Sequence, residues 1–468
     1  MIRNKYLVLI SAGFLFAWTA YAQSGDAALS SIRGSDRADK IAKAKDQLKP
    51  AEHLRRAGIY LANRLFDDAR EHFQAIVSNY PNDPAVPPAL LGLARSYYVE
   101  RRYEEARQTY ERLARNYPDT REGREGLNFA GSSLLRMGRG VEAAAVYAEY
   151  INKYPNGERI DTAHLNTIDA YREAGRAPDA IAWIEKTRAR FTGTPTEAAA
   201  IFARLRLDIA ISDWQHASES ADELLQKPLP ASSNTTADEV IYLKAHALER
   251  AGRLNDAMRT YLLIPDGAGS YYGGLATDRL RQISDSSVNQ IARQRAANVN
   301  AAIANAATDF PAAYRFQVLR EANKRELDPR LLLSIMKQES QFKSGARSPS
   351  AARGLLQLTI DAATKYGKRA GFDRVTEDML YRPDVNIAIG AEYIAELSRM
   401  FAGLPEAIAA AYNGGEDNVA RWLARSNQDD EGVFASEVGF TESKNYVFKV
   451  MNYYRAYRQL YDAKLNRR

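Results

Sequence analysis

Alanines and bulky apolar residues recur at a fixed interval through the first half of the chain. The alanine stands four positions before the bulky residue, and a Tyr-Pro pair returns at the same interval of 37 residues. The alanines are Ala69, Ala106, Ala143, Ala180 and Ala217, the bulky residues are Phe73, Tyr110, Tyr147 and Ile184, and the pairs begin at Tyr80, Tyr117 and Tyr154. Residues four apart share one face of a helix, and a fixed period of this length is typical of repeat arrays. Each unit is therefore predicted to be a pair of packed helices.

The repeat pattern resembles tetratricopeptide repeats, as in the run from Tyr103-Glu104-Glu105-Ala106 to Tyr117-Pro118. Gly138 and Gly175, and Gly252 after a longer spacing, fall between the helices. The resemblance implies stacked helix pairs that form a superhelix with a concave face, a surface that often binds partners. The recurring alanine and aromatic positions are predicted to be core, so a surface for envelope proteins or glycan strands would lie elsewhere on the repeats, which we assign to residues 50–265.

A short apolar segment opens the chain. It runs from Tyr6 to Trp18, follows basic residues and ends in Ala20-Tyr21-Ala22. A membrane-spanning helix needs about 20 apolar residues, whereas small residues at these positions are what a signal peptidase recognises. Residues 1–22 are therefore predicted to be a cleavable signal peptide, and residues 23–49 an N-terminal segment of the mature protein.

Composition and charge narrow the class of protein. The 468 residues are 46% hydrophobic, which suits two or three globular domains. The chain has no cysteine, so no disulfide and no lipid anchor on a cysteine is expected, and the predicted location is the periplasm, without a transmembrane anchor. The formal net charge of +6 includes Arg3 and Lys5 of the predicted signal peptide, and such a weak charge does not favour nucleic acid as a partner.

A helix with a carboxylate on its apolar face is predicted after residue 328. Asp328 is a good N-cap, and Pro329 suits the first helical position. Four residues continue one face with helical spacing: Leu332, Ile335, Met336 and Glu339. Burial on this face near a helix C-terminus would raise the pKa of Glu339, and a raised pKa is what a general acid that cleaves a glycosidic bond requires. Periodicity alone leaves open that Glu339 turns out to solvent.

Several short motifs accompany Glu339. In order they are Glu339-Ser340, Ser348-Pro349, Gly354-Leu355-Leu356-Gln357, Ala411-Tyr412-Asn413, Glu437, Phe440-Thr441-Glu442 and Tyr446-Val447. Their order and spacing resemble those of the soluble lytic transglycosylase family, and a preceding Ser270–Ala276 stretch fits the same family, although its glycines also suit a turn. The resemblance covers about Ala312 to Asp462. It implies a lysozyme-like domain, which we assign to residues 313–468, after a helical connector over residues 266–312. The expected fold class is thus mainly all-α: a tetratricopeptide-like superhelix followed by a lysozyme-like, mostly helical catalytic domain.

The family resemblance implies a peptidoglycan lytic transglycosylase. Glu339 would protonate the oxygen between N-acetylmuramic acid (MurNAc) and N-acetylglucosamine (GlcNAc), and would then deprotonate the MurNAc C6 hydroxyl to close a 1,6-anhydro ring. Seven residues are implied to bind the glycan strand: Ser348, Gly354, Gln357, Tyr412, Asn413, Glu437 and Tyr446. No cofactor is implied, and the five histidines are scattered through the repeats rather than grouped as metal ligands.

Other roles stay open for several of these residues. Gly354 also suits a plain turn, and Ser348 and Gln357 also suit local backbone caps. Tyr412 and Asn413 end a helix predicted from Pro405 to Gly414, and Tyr412 also suits packing.

The family pattern is not followed everywhere. The chain lacks one residue and a proline between Glu437 and Phe440. Thr359 replaces a family methionine and is expected to cap the next helix, where Asp361 supplies an N-terminal charge rather than a second catalytic carboxylate.

Two other functions compete with lytic transglycosylation. A lysozyme-like hydrolase on the same fold would use water in place of the sugar hydroxyl. An inactive periplasmic repeat scaffold would bind proteins without cleaving glycan.

Overall fold

The computed structural model describes residues 25–42, 47–229, 233–283, 286–426 and 430–468. These residues are predominantly helical, and their β-structure consists of two isolated bridges, Arg353 with Leu358 and Tyr461 with Arg467. The expected all-α class is confirmed. The predicted signal peptide, residues 1–22, lies outside the described residues. In the described ranges, no helix combines the length and apolar character needed to cross a bilayer.

Two compact units make up the described chain. The first holds the chain up to Trp183 together with Arg347–Ala352, and the second holds Ile184–Ala346 and Arg353–Arg468. The division falls inside the repeat segment, so the second unit includes the last repeat helices as well as the segment that carries Glu339. The domain boundaries expected at residues 265 and 312 remain predictions.

Helix pairs form the first unit. The helices are α1 Asp26–Ala42, α2 Pro50–Ala62, α3 Phe66–Asn79, α4 Val86–Val99, α5 Tyr103–Asn116, α6 Arg121–Arg136, α7 Gly140–Lys153, α8 Ile160–Glu173 and α9 Ala177–Arg190, which ends beyond Trp183. All the recurring alanines and bulky residues, from Ala69 to Ala217, are completely buried, because short side chains let paired helices approach while the bulky ones fill the space between them. Gly138 and Gly175 have φ of 73° and 66°, the left-handed conformation that glycine adopts at low cost. The predicted helix hairpins are confirmed.

The second unit continues with fourteen helices among its described residues. They are α10 Pro195–Ala210, α11 Trp214–Leu225, α12 Ala237–Arg250, α13 Leu254–Leu262, α14 Tyr271–Gln282, α15 Ser286–Asn305, α16 Arg315–Lys324, α17 Pro329–Ser340, α18 Ile360–Ala370, α19 Pro383–Met400, α20 Pro405–Gly414, α21 Glu416–Ser426, α22 Glu431–Glu437 and α23 Thr441–Leu460. The connector is helical as predicted. The Tyr271–Ala276 stretch begins α14 rather than forming a turn, because the Ser270 hydroxyl accepts from the Gly273 N–H and caps the helix.

Helix α17 is the central element for the candidate site. The Asp328 carboxylate accepts from the Arg330 N–H at 2.8 Å, and Pro329 occupies the first turn, so the predicted start is confirmed. Leu332, Ile335 and Met336 are completely buried, and α17 packs against α23. Thr359 holds the N-cap position of α18, but its side chain makes no capping hydrogen bond, so that part of the expectation is wrong.

Candidate active site

Glu339 lies in the last turn of α17, half-buried on the face that packs against α23. Its Oε1 accepts a hydrogen bond from the Tyr446 hydroxyl at 2.7 Å. Burial raises the pKa of Glu339 to about 7, the Tyr446 hydrogen bond acts in the opposite direction, and the nearby Glu442 carboxylate adds to the increase. The side chain has therefore not turned out to solvent, and it is substantially protonated near neutral pH.

Two tyrosines share the surroundings of Glu339. Burial, followed by the charge of Glu339, raises the pKa of both Tyr412 and Tyr446 well above the usual range, so both phenols stay protonated and act as donors. The Tyr412 hydroxyl donates to the Leu356 carbonyl at 2.6 Å. The Tyr412 ring packs on Tyr393 with 5.1 Å between centroids, and Tyr393 in turn stacks on Tyr366. Tyr412 is thus held by its hydroxyl and by its ring.

Gly354 occupies a tight turn that follows α17. Its φ is 80°, and a Cβ there would lie 2.1 Å from the Leu380 carbonyl oxygen, so only glycine fits. Its N–H donates to the Ala346 carbonyl at 2.9 Å, and its own carbonyl accepts from the Gln357 side chain at 2.8 Å. The N–H and the carbonyl of Gly354 both form hydrogen bonds inside the turn, as expected for a turn glycine. A contact between Gly354 and glycan remains a prediction.

The Gly354 turn is braced by Asn386, which the sequence analysis did not name, and by Ser340, which it named in a motif but not as a site residue. The buried Asn386 accepts from the Leu356 N–H at 2.8 Å and donates to the carbonyls of Arg353 and Leu380 at 2.9 and 2.8 Å. The Ser340 hydroxyl donates to the Leu355 carbonyl at 2.7 Å, which ties the turn to the end of α17. The available signal for Asn386 was a polar residue in an otherwise apolar stretch of α19.

Gln357 and Asn413 each have one side-chain group held by the protein. The Gln357 amide NH₂ donates to the carbonyls of Ala346 and Gly354 at 3.1 and 2.8 Å. Gln357 therefore caps local backbone groups, which is the alternative role that the sequence analysis left open for it. Asn413 is exposed at the end of α20, and its Oδ1 accepts from the buried Ser443 hydroxyl at 2.6 Å. This arrangement turns the NH₂ of Asn413 away from Ser443 and leaves it as a donor.

Ser348 and Glu437 have local partners. Ser348 belongs to the first compact unit, where its hydroxyl accepts from the Ala352 N–H at 3.1 Å. Glu437 is 1% exposed, and its Oε2 pairs with the guanidinium groups of Arg206 at 3.2 Å and Arg425 at 3.3 Å. The structure thus gives Ser348 the role of a local cap and gives Glu437 a buried ion-pair role, and their contacts with substrate remain predictions.

Asp361 lies in the first turn of α18, as its predicted role as an N-terminal charge requires. The carboxylate that affects the pKa of Glu339 is instead Glu442, exposed in the first turn of α23. In the described part of the chain, no group of three or more histidine, aspartate, glutamate or cysteine residues has an arrangement that could hold a metal ion.

This helical fold and site correspond to a known class of domain. Residues 317–434 match the protein-family model described as Transglycosylase SLT domain, and residues 54–120, 91–158 and 130–195 match Tetratricopeptide repeat. The chain therefore carries an SLT transglycosylase domain preceded by tetratricopeptide repeats, as its motifs predicted. The SLT match includes Glu339 and Tyr412 and ends before Tyr446.

Named relatives point to the same class. The chain is 30% identical over 157 residues to the soluble lytic murein transglycosylase of Salmonella typhimurium, across 33% of this chain and 24% of the relative. It is 30% identical over 151 residues to the protein of the same name from Escherichia coli strain K12, across 32% and 23%. The chain thus spans about a quarter of the length of the curated relatives it matches.

The structure of the 70-kDa soluble lytic transglycosylase in complex with bulgecin A aligns with a TM-score of 0.51. It covers 92% of this chain and 76% of that one, at 19% identity. This similarity shows a shared fold.

Proposed function

We propose that this protein is a peptidoglycan lytic transglycosylase that cleaves the β-1,4 bond between MurNAc and GlcNAc, with Glu339 as its acid and base. The observation that carries the proposal is the position of Glu339, which lies half-buried in the last turn of α17 with its Oε1 2.7 Å from the Tyr446 hydroxyl. Burial raises its pKa to about 7, so near neutral pH the carboxyl group both holds a proton to donate and returns readily to the carboxylate.

In the first step, Glu339 donates its proton to the glycosidic oxygen, and the bond from that oxygen to the MurNAc C1 breaks. The GlcNAc residue leaves as an alcohol, and positive charge develops at C1. Glu339 is now a carboxylate, and the Tyr446 hydroxyl, 2.7 Å away, stabilises that charge through a hydrogen bond.

In the second step, the MurNAc C6 hydroxyl attacks C1, and the Glu339 carboxylate accepts its proton. The new C6–O–C1 bond closes the 1,6-anhydro ring, so no water is consumed and Glu339 returns to its protonated form. A single carboxyl group suffices because the substrate supplies the nucleophile. Most glycosidases instead use a pair of catalytic carboxyl groups.

Substrate contacts are proposed for the side-chain groups of Asn413 and Gln357 that the protein itself leaves available. The NH₂ of Asn413 suits a sugar carbonyl or hydroxyl oxygen, and the Gln357 amide oxygen suits a sugar hydroxyl or amide N–H. We also propose that the signal peptide directs export of the protein and that the protein acts in the periplasm. The remaining predicted residues would contact the glycan strand, and the repeats would bind envelope proteins.

Digestion of purified peptidoglycan by the full chain tests the function. Mass spectrometry of the products should show 1,6-anhydro-MurNAc ends, and Glu339→Gln should remove them, whereas the exposed Glu326→Gln serves as a matched control and should not. Reducing MurNAc ends in place of anhydro ends would identify a hydrolase. The absence of any cleavage by the wild-type protein would favour the scaffold alternative.

A further inference from the structure

A cavity of about 480 Å³ lies beside α23, in the compact unit that carries Glu339. It is lined by the start of α12, by the segment 265–270 between α13 and α14, by the first turn of α14, and by Phe448 of α23. Phe448 follows Tyr446 by two residues, and positions two apart on an α-helix point roughly 200° away from each other. The cavity therefore lies on a different side of α23 from Glu339, and the proposed mechanism does not use it.

Three aromatic rings form an apolar wall of this cavity. Tyr271 stacks on Phe448 with 4.9 Å between ring centroids, and Tyr272 packs edge-on to the same ring at 5.4 Å. The two tyrosine rings are 5.1 Å apart, so the three rings pack against one another rather than around a common space. The tyrosine hydroxyls have partners within the protein, the Glu431 carbonyl at 3.2 Å and the Glu239 carboxylate at 3.1 Å. The rings therefore offer carbon surface to the cavity.

Asp238 supplies the charge of the cavity. It is the second residue of α12 and lies half-buried in the cavity wall, where its carboxylate forms no hydrogen bond or ion pair with the residues that the structure describes. Burial raises the pKa of Asp238, as expected for a carboxylate that has lost water without gaining a cation. The N-terminal end of α12 carries partial positive charge, which stabilises the carboxylate without neutralising it.

The other carboxylate in the lining, Asp266, is already balanced by a cation. It accepts from the Arg455 guanidinium at 2.8 and 3.0 Å, and its side chain is 1% exposed. No lysine, arginine or histidine lines the cavity in the described ranges of the chain. The cavity thus combines one unbalanced negative charge with an apolar wall, and this combination favours a cation that carries an apolar body.

We propose that this cavity binds a small organic cation, a primary ammonium group on a short aliphatic chain. The ammonium group would donate to the Asp238 carboxylate in a charge-assisted hydrogen bond, and the aliphatic chain would lie on the Phe448 wall. A quaternary ammonium ion has no N–H to donate and is recognised by rings that surround it, an arrangement that these mutually packed rings do not form. The volume lies within the range of about 300–1,000 Å³ that small-molecule sites have. The inference goes beyond the proposed function and does not depend on it, because no step of it involves Glu339.

Isothermal titration of the full chain with n-pentylammonium chloride tests this site. We expect saturable binding, and we expect 1-pentanol and tetramethylammonium to bind roughly tenfold more weakly or less, because the first lacks the charge and the second lacks the N–H donor. Asp238→Asn should weaken the binding of n-pentylammonium by roughly tenfold or more. Asp161→Asn is the matched control and should bind as the wild type does, since Asp161 is also the second residue of its helix, α8, but is exposed and does not line the cavity.

A second variant fills the cavity without changing its charge. Gly269 lines the cavity, has no positive φ and has no atom within 4 Å of a built Cβ, so a larger side chain fits there without backbone strain. Gly269→Leu should therefore weaken the binding of n-pentylammonium and leave the midpoint of urea unfolding close to that of the wild type. Because this variant keeps Asp238, it decides the question if Asp238→Asn folds poorly.

Several titration results would overturn the inference. Absence of n-pentylammonium binding would show that the cavity is not such a site. Equal affinity for 1-pentanol would indicate a purely apolar pocket, and equal affinity for tetramethylammonium would indicate a general attraction for cations. Unchanged n-pentylammonium affinity in both Asp238→Asn and Gly269→Leu would place the ligand elsewhere and would overturn the inference as well.

Discussion

At the scale of single residues, Tyr446 and burial act on Glu339 in opposite directions. Burial raises the pKa of Glu339, while the Tyr446 hydroxyl stabilises the carboxylate and lowers it. The resulting pKa of about 7 lets Glu339 hold a proton as an acid and give it up to act as a base near neutral pH. Tyr446, predicted as a substrate contact, is therefore at least a positioning residue for Glu339 in this structure.

Removing the Tyr446 hydroxyl should change the pH dependence of cleavage. In Tyr446→Phe the carboxylate loses its donor, so the pKa of Glu339 should rise, by about half a unit to one unit for a hydrogen bond of ordinary strength. The alkaline limb of the kcat/KM profile should move to higher pH by that amount. The control is Tyr454→Phe, which removes a hydroxyl that is hydrogen-bonded to Asp328 at the other end of α17. If the alkaline limb of the pH profile did not move in Tyr446→Phe, the proposed role of Tyr446 would be contradicted.

Glu339 should also make stability depend on pH. Its pKa is about 7 in the folded protein and 4.5 in the reference state, so its favourable contribution is complete below about pH 4.5 and is lost as the pH rises through about 7. Glu339→Gln cannot ionise. Relative to the wild type, its free energy of unfolding should therefore rise between pH 5 and pH 8 by about 1–3 kcal/mol. Urea unfolding at both pH values measures the change, and a difference that does not depend on pH would show that the carboxyl group is not desolvated.

At the scale of the elements, turn glycines define the helix hairpins. Gly175, between α8 and α9, has a φ of 66° and open space where a Cβ would lie. Its role is thus to permit the left-handed turn, whereas Gly354 is required both for its backbone conformation and for close packing.

Gly175→Ala should lower the free energy of unfolding by about 1–2 kcal/mol, through backbone strain alone. Gly34 lies within α1, has no neighbouring atom within 4 Å of a built Cβ and no positive φ. Gly34→Ala should therefore raise stability by about 0.5–1 kcal/mol, because alanine favours helix. Chemical denaturation followed by circular dichroism compares the two variants, and equal effects of the same sign would refute the conformational argument.

At the scale of the whole molecule, the last repeat helices share a compact unit with the helices of the candidate site. Lys444, on α23, is buried and donates to Glu239 of α12 at 2.9 Å and to the Ser436 carbonyl at 3.1 Å. Both Lys444 and Glu239 have side chains at most 4% exposed. Lys444 is two residues from Tyr446, so this buried ion pair links α12 to the helix that contacts Glu339.

Lys444→Met should be strongly destabilising, by about 3–5 kcal/mol, because Glu239 would keep a buried charge without its partner. The double variant Lys444→Met with Glu239→Gln removes both charges and should recover much of that loss. Denaturant unfolding of the four proteins in this cycle measures the coupling. Additive losses would show that the two side chains do not act as a pair.

The sequence determined the elements because local patterns specify them. The 37-residue period specified the helix hairpins and their buried alanines, Asp328 and Pro329 specified where α17 begins, and apolar spacing placed Glu339 on its packed face. The motifs specified the SLT class. These signals depend on neighbours within one or two helical turns, or on a repeated unit, and a single sequence displays both.

Only the tertiary structure decided which side chains meet. Tyr446 lies 107 positions after Glu339, and the Glu437 carboxylate is paired with Arg206, 231 positions earlier in the chain. Asn386 braces a turn that ends some thirty residues before it. No spacing in the sequence encodes these pairs, because they depend on how separate helices pack, and the burial that raises the pKa of Glu339 to about 7 arises from the same packing.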